Sequence, residues 1–176
     1  MLEKNPKNAE NHYNLGVLLA RSQQHTSAEE CFQRAIFQRP AYREAWHNLG
    51  QLQARSGRLK EAIFSFKRAL LLLPGDPATI STLVDVLIQS DRASDAEEEA
   101  KRGLIVTPGA VLSILALGRA QLALGRKQDA LTNFASAVRA APEHPLPLMS
   151  LARGFAALGN YAKAADAAIM ATRRPG

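Results

Sequence analysis

Few residues in this 176-residue chain could carry out chemistry, and they do not form a known catalytic or metal-binding pattern. The histidines are His12, His25, His47 and His144, and none lies four residues from another histidine or from Cys31. Metal-binding helices often place two ligands at that spacing. Cys31 is the only cysteine, so an internal disulfide and a cysteine-based metal cluster are excluded. We therefore predict no enzymatic activity, no cofactor and no metal site.

Other candidate ion-binding features have simpler structural interpretations. Glu97, Glu98 and Glu99 lie near the start of a predicted helix, where carboxylates interact favourably with the helix dipole and stay solvated. The glycines recur at regular intervals instead of clustering, so no phosphate-binding loop is predicted. We expect Cys31 to be a buried or half-buried thiol and His12 to be a packed side chain.

Composition and charge narrow the class of protein. The net charge is +6, but each half of the chain holds 11 basic and 8 acidic residues. Nucleic-acid-binding proteins usually concentrate their basic residues on one surface, so the even distribution argues against such a partner. The chain has no run of 18 apolar residues and starts without a secretory signal pattern. These features favour a cytoplasmic protein without a membrane span, while export stays an open alternative.

A 34-residue period organises the whole chain. Five of the nine prolines follow it: Pro6, Pro40, Pro74, Pro108 and Pro142. Two further sets of residues share the interval: Leu15, Leu49, Leu83, Leu117 and Leu151, and Ala28, Ala62, Ala96, Ala130 and Ala164. Such self-similarity predicts a repeated structural unit in which stacked neighbours complete one another's core.

Within each unit the residues predict two antiparallel helices. Gly16, Gly50 and Gly118 would lie inside first helices, where glycine costs about 0.5–1 kcal/mol relative to alanine. We therefore expect another helix to approach closely at these positions. Gly57 and Gly125 are expected to end first helices in the left-handed conformation. The periodic prolines are expected to end the second helices.

These residues resemble the tetratricopeptide repeat family, whose 34-residue unit carries W-x2-L-G-x2-Y, then A-x3-F, then P. Residues 43–76 fit best, with these matches: Trp46, Leu49, Gly50, Ala62, Phe66 and Pro74. The resemblance implies an all-α, right-handed superhelical solenoid of antiparallel helix pairs. The predicted repeats are 9–42, 43–76, 77–110, 111–144 and 145–176, forming a single solenoid domain over 9–176. Residues 1–8 are interpreted as the tail of a preceding repeat or an N-terminal extension.

Two of the predicted repeats depart from the family pattern. In the third, Val84 replaces glycine, Ala100 replaces phenylalanine and Gly103 replaces alanine. In the fifth, Ala168 replaces phenylalanine, and no polar capping helix follows residues 160–174. Soluble arrays usually end in such a cap, so we expect Ile169 and Met170 to face solvent.

The resemblance implies that the first helices line a concave groove that holds a peptide or a segment of a partner protein. The groove residues predicted in the first three repeats are Tyr13, Asn14, His47, Asn48, Gln51 and Thr82. Side-chain amides at a regular spacing could pair with a peptide backbone. Asn14 and Asn48 resemble the asparagine ladder in the repeat region of O-GlcNAc transferases, although asparagine is also simply common at this position.

The second half predicts a different surface. The candidate groove residues there are Leu112, Leu115, Arg119, Met149 and Arg153, with Leu146 beside them. An apolar wall beside arginines would suit an amphipathic segment bearing a carboxylate, although leucine and methionine at helical spacing also suit a core. Arg21 and Arg55, 34 residues apart, could add a basic rim or remain solvated arginines.

Several functions remain open at this stage. The leading hypothesis is a protein-interaction scaffold. The alternatives are the repeat portion of a larger glycosyltransferase, sulfotransferase or polysaccharide-secretion protein, and a scaffold that forms homo-oligomers through exposed solenoid ends. The two-carboxylate clamp of chaperone-associated family members is excluded, because its positions hold Tyr13, Val17, Asn48, Ala78 and Thr82, of which only Asn48 fits.

Overall fold

The described part of the chain, residues 6–174 of this computed structural model, consists of ten α-helices and no strand. The chain divides into two compact units, unit 1 ending at Pro74 and unit 2 beginning at Gly75. Unit 1 contains α1 Pro6–Arg21, α2 His25–Gln38, α3 Arg43–Arg55 and α4 Leu59–Leu72. Unit 2 contains α5 Pro77–Gln89, α6 Ala93–Val106, α7 Val111–Ala123, α8 Lys127–Ala140, α9 Pro145–Ala157 and α10 Tyr161–Thr172.

The observed start of the first helix differs from the predicted boundary. α1 begins at Pro6, so residues 6–8 belong to the first helix, while the first five residues of the predicted tail lie outside the described residues. Proline suits the first position of a helix, because the N–H that it lacks would have no helical partner there. The sequence predicted a single solenoid domain over 9–176, whereas the structure divides into two compact units. That the two units form one domain stays a prediction.

Close approach at the helical glycines is confirmed in both units, and the approaching group is the phenylalanine of the same repeat. A Cβ atom at Gly50 would lie 2.9 Å from the Phe66 ring, and one at Gly118 would lie 2.4 Å from the Phe134 ring. Both distances are shorter than real carbon–carbon contacts. These glycines therefore make room for the ring that fills each helix pair.

In the core of the third repeat, the larger residue lies on the first helix and the smaller one on the second helix, the reverse of the arrangement in the second and fourth repeats. Val84 takes the glycine position and Ala100 takes the phenylalanine position, and both are fully buried. A Cβ at Gly103 would lie 2.3 Å from Cδ1 of Ile80, so a larger residue there would require the Ile80 side chain to move. The third repeat thus has a larger residue at the glycine position of its first helix and a smaller one at the phenylalanine position of its second helix.

Turn glycines and four of the five periodic prolines take the predicted roles, whereas Pro6 begins a first helix. Gly57 and Gly125 have φ angles of +74° and +76°, in the left-handed region. One proline follows the last residue of each of four second helices by two positions: Pro40, Pro74, Pro108 and Pro142. The helix bounds are therefore set largely by local backbone preferences.

Neighbouring second helices are joined by an ion pair that recurs within each unit. Glu29 of α2 accepts hydrogen bonds from Arg58, which raise the pKa of this guanidinium above its usual value. In unit 2, Glu97 accepts from Arg126 at 2.8 Å and lies 3.0 Å from the Lys101 ammonium. The interpretation of Glu97 as a solvated carboxylate was wrong, because it is buried beneath the start of α8.

Tyr42, just before α3, makes stability sensitive to high pH. Its ring is buried against Tyr13, 4.8 Å between centroids, and the Arg39 guanidinium carbon lies 3.5 Å from the ring centroid. Burial raises the pKa of the Tyr42 hydroxyl above its ordinary value of 10.0, although Arg39 partly opposes this. The unfolded chain therefore ionises first, and the contribution is complete below pH 10.0 and lost as the pH rises through the raised value.

We expect Tyr42→Phe to reduce the loss of unfolding free energy between about pH 9 and pH 11.5. Urea denaturation followed by circular dichroism at both pH values measures this difference. Tyr161→Phe, at an exposed position, is the matched control and should leave the pH dependence unchanged. Identical pH dependence in the parent protein and Tyr42→Phe would contradict the prediction.

Candidate peptide-binding groove

A groove of about 400 Å³ lies between the two first helices of unit 1. α1 and α3 form its walls, and the turn after α1 and one ring of α2 complete it. Its lining residues are Val17, Ala20, Arg21, Gln23, Phe32, Asn48, Gln51, Leu52 and Arg55. None of these lining residues is acidic, and the apolar members lie beside amides and guanidinium groups. Small-molecule and peptide sites commonly combine surfaces of this kind.

The two amides of α3 are held by neighbouring side chains. Asn48 Nδ2 donates to the Tyr13 hydroxyl at 3.3 Å, and Gln51 Nε2 lies 2.9 Å from His47 Nε2. These contacts restrict the side-chain rotamers, which lowers the entropy lost on binding. A side-chain amide has two N–H donors and a carbonyl acceptor, so each contact leaves further bonding capacity. The structure thus brings four predicted site residues together.

Two arginines lie at one end of the groove, in the last turns of α1 and α3. In the described part of unit 1, neither Arg21 nor Arg55 pairs with a carboxylate, and Arg55 has a polar contact with His25 Nε2 at 3.4 Å. A positive charge there interacts favourably with the helix C-terminus. Both guanidinium groups also remain able to bind an anionic ligand.

The other arginines of unit 1 are engaged within the protein. Three of them pair with carboxylates: Arg34 with Glu30, Arg43 with Glu44, and Arg58 with Glu29 and Glu61. Arg39 and Arg68 lie over aromatic rings. Among the arginines of the described part of unit 1, the two at the end of the groove are therefore the least compensated.

Two predicted polar residues lie apart from this groove. Asn14 is exposed on α1 and is not among the lining residues. Thr82 belongs to unit 2, where its hydroxyl donates to the Ala78 carbonyl at 2.9 Å. That hydroxyl bond is local to α5 and is common for threonine inside helices.

Arg119, a predicted groove residue, has an internal carboxylate partner. Its Nε lies 2.7 Å from Asp85 Oδ1, and one terminal nitrogen donates to Ser81 Oγ at 2.8 Å. Asp85 lies one repeat before Arg119, on the neighbouring first helix of unit 2. Opposite charges 34 residues apart were the sequence signal that could have predicted this pair.

Leu115 is part of the core of unit 2 and was wrongly assigned to the groove. It is 0% exposed and clusters with Ala130 and Phe134. The reason is that α7 packs against α5, α6, α8 and α9, which leaves little of its surface free.

The remaining predicted groove residues of unit 2 differ in exposure. Leu112, at the start of α7, is half-buried. Met149 and Arg153 are exposed and lie one turn apart on α9. Their role in binding a partner stays a prediction.

Sequence reasoning missed part of the apolar lining of the groove. Val17 and Ala20 of α1, and Gln23 after it, were not predicted as binding residues. Val17 is the equivalent of Gln51 one repeat earlier, so the repeat register could have placed it in the groove. The change from an amide to an apolar residue hid this equivalence.

A second cavity of about 490 Å³ lies in unit 1 between α2, α3 and α4. Trp46 and Phe64 line it, with their rings edge to face at 5.9 Å between centroids, together with Ile36 and Leu49. The polar pair Gln53 and Ser65, hydrogen-bonded at 2.6 Å, also contributes to the lining. α3 therefore contributes to two cavities of different chemical character.

Metal-binding clusters and membrane-spanning helices are absent from the described residues. Within residues 6–174, no group of three His, Cys, Asp or Glu side chains is arranged to hold a metal ion. None of the ten described helices has the length and apolar character needed to cross a membrane. Cys31 is buried, as predicted.

Sequence comparison identifies the family. One profile of the tetratricopeptide repeat matches residues 2–40, 13–77 and 115–176, and a second matches residues 53–117. The chain belongs to the tetratricopeptide repeat family. The predicted family and the all-α fold of helix pairs are therefore confirmed. Tetratricopeptide repeat (TPR) proteins are in general protein-interaction scaffolds and typically lack catalytic activity.

Solved TPR structures share this fold at low sequence identity. A TPR protein from Parabacteroides merdae has a TM-score of 0.83 and 18% identity, over 98% of this chain and 68% of its own. A thermophilic TPR protein from Thermus thermophilus has a TM-score of 0.75 and 21% identity, over 94% and 92%. YrrB, described as a TPR protein with an unusual peptide-binding site, has a TM-score of 0.66 and 20% identity, over 97% and 88%. No curated protein matches this chain significantly in sequence.

Proposed function

We propose that this TPR protein is an interaction scaffold that holds an extended, acidic segment of a partner protein in the groove between α1 and α3. One observation carries the proposal. The groove combines two oriented amides with two arginines that have no carboxylate partner in the described part of unit 1, and its lining residues include no acidic side chain. A ligand that supplies carboxylates would complement this surface.

Different groove residues would bind different parts of the peptide. Asn48 and Gln51 can exchange hydrogen bonds with the backbone of an extended peptide, with little dependence on its sequence. Arg21 and Arg55 can bind its carboxylates through charge-assisted, bidentate hydrogen bonds, which are about twice as strong as neutral ones. The apolar residues, Val17 among them, add contact area beneath the peptide.

Family relationships agree with this function without specifying the ligand. YrrB is described as having a peptide-binding site, and the TPR fold is used for binding proteins or peptides. The acidic preference proposed here comes from the side chains of this chain. The arginine positions of α1 and α3 are occupied by Gln89, Ala123 and Ala157 in the later repeats, so the basic groove end is a feature of unit 1.

Asn48→Ala tests the groove assignment directly. We expect peptide binding to weaken about 3- to 10-fold, because a net hydrogen bond contributes about 0.5–1.5 kcal/mol. The probe is a library of extended peptides of about 12 residues with two fixed glutamates, and the affinity of a selected peptide is measured by fluorescence anisotropy. The thermal midpoint should remain nearly unchanged, because the hydrogen bond from Asn48 to Tyr13 is long.

Gln128→Ala is the matched control, since it deletes an exposed amide from α8 in the other unit. Its affinity for the selected peptide should equal that of the parent protein. Equal binding by Asn48→Ala and the parent would show that Asn48 is not a binding residue. Failure of the whole library to bind would overturn the proposed function itself.

A further inference from the structure

The outer face of α1 is built like one half of a repeat–repeat interface. Leu15 and Leu18 are 48% and 60% exposed, although the equivalent residues one repeat later, Leu49 and Leu52, are only 4% exposed. Leu49 and Leu52 are covered because they pack with Phe32 of α2. On α3 this apolar surface is covered by the preceding second helix, α2. α1 carries the equivalent surface, and no described helix covers it.

The outer face of α10 is built like the other half of such an interface. In unit 2, Phe134 and Leu131 of α8 pack against α9 at Gly154, where a Cβ atom would lie 3.1 Å from each. The equivalent residues of α10 are Ala168 and Ala165, and both are exposed. The predicted exposure of Ile169 and Met170 beside them is confirmed.

We propose that α10 of one molecule packs on α1 of a second copy, so that molecules associate head to tail. The contact would continue the type of interface that already joins α2 to α3 and α8 to α9 within the chain. It is heterologous, because each molecule uses one face to bind and presents the other to the next molecule. The proposal does not rest on the groove in unit 1 or on its ligand.

The sizes of the facing residues support this pairing. Where α8 meets α9, a large residue on the second helix, Phe134, faces a small one on the first helix, Gly154. Between α10 and α1 the distribution is reversed, because Ala168 would face Leu18 at the equivalent positions. A large side chain again meets a small one, so the helices can approach without a clash and bury the exposed leucine.

The charges of the two faces also permit burial. On α1, the residues equivalent to the cluster residues of α3 and Tyr42 that pack against α2 are uncharged: Asn8, Asn11, His12, Leu15 and Leu18. Arg21 is the charged residue nearby, and its equivalent Arg55 contacts His25 of α2 while remaining exposed. On α10, the corresponding residues are Ala164, Ala165, Ala168 and Thr172. The contact therefore does not require a charged side chain to lose its water without a partner.

Sedimentation equilibrium over a wide range of protein concentration tests the association. The parent protein should show an average mass that rises with concentration above the 19.1 kDa of one chain. Leu18→Glu blocks the α1 face, and Ala168→Glu blocks the α10 face. Each variant alone should remain a monomer, because a buried unpaired carboxylate strongly opposes the contact.

Mixing the two blocked variants gives the decisive result. Each retains one intact face, so an equimolar mixture should form a dimer of twice the monomer mass and nothing larger. Circular dichroism should show parental helix content in both variants, since Leu18 and Ala168 are exposed. Leu71→Glu, at an exposed leucine of α4, should associate like the parent. A parent protein of 19.1 kDa at every concentration, or a monomeric mixture, would overturn the proposal.

Discussion

Gly118→Val and Phe134→Ala should each destabilise unit 2, whereas the two changes together should destabilise it by less than the sum of their separate effects. A Cβ at Gly118 would lie 2.4 Å from the Phe134 ring, so valine overpacks the helix pair and costs about 1–3 kcal/mol. Phe134→Ala removes a ring that is 1% exposed and should cost about 3–5 kcal/mol. Urea denaturation followed by circular dichroism measures each effect.

The double variant reproduces the arrangement that the third repeat already uses. Val84 and Ala100 occupy the equivalent positions there, and both are fully buried. Valine in place of Gly118 would extend into the space that the Phe134 ring vacates, and it also favours the helix more than glycine does. We expect a coupling free energy of about 1 kcal/mol or more between the two changes.

Gly118→Val combined with Ala171→Gly is the control pair, because Ala171 lies in α10, which packs against α9 rather than α7. Changes at separate sites usually add, so this pair should show almost no coupling. Additive effects of Gly118→Val and Phe134→Ala would mean that the two positions do not exchange volume. Compensation of size would then not account for the third repeat.

Reversing both groove charges should have the largest effect on ligand binding. We expect Arg21→Glu/Arg55→Glu to weaken binding of the selected acidic peptide about 100-fold or more, because hydrogen bonds to charged groups contribute about 1.5–3 kcal/mol each. The new carboxylates would also repel those of the peptide. Binding by the parent protein should weaken as salt is added, since exposed charges are screened.

The control reverses the same number of charges elsewhere. Lys127→Glu/Arg139→Glu changes two exposed residues of α8 and lowers the net charge from +6 to +2, as the groove variant does. It should retain parental affinity if binding depends on the groove. A peptide with glutamine in place of both glutamates should bind the parent weakly. Equal affinity for the two peptides would show that the groove binds peptides without an acidic preference.

Local sequence preferences were sufficient to predict the repeated helix pairs. Pro40 and its periodic equivalents marked the ends of second helices, and Gly57 and Gly125 marked left-handed turns. These residues act on the backbone next to them, so their effects do not depend on distant parts of the chain. The interior glycines additionally predicted close helix contacts, because glycine inside a helix needs a compensating reason.

Tertiary structure decided whether each side chain is accessible to a ligand or already packed or paired within the protein. Arg119 was predicted to bind a carboxylate of a partner, but the fold places Asp85 2.7 Å from it. Leu115 occupied a predicted groove position, but four neighbouring helices bury α7. Such outcomes depend on residues in other helices and other repeats, which a local pattern does not report.

By itself, the sequence determined the length of the repeat, the approximate bounds of the helices and the family, because each follows from backbone preferences and a strict period. Only the tertiary structure decided that Asn48 and Gln51 share a groove with Arg21 and Arg55, and that Glu97 is buried. The physical reason is that a period specifies which positions are equivalent. The size and charge of the neighbouring side chains then determine what each equivalent position can bind.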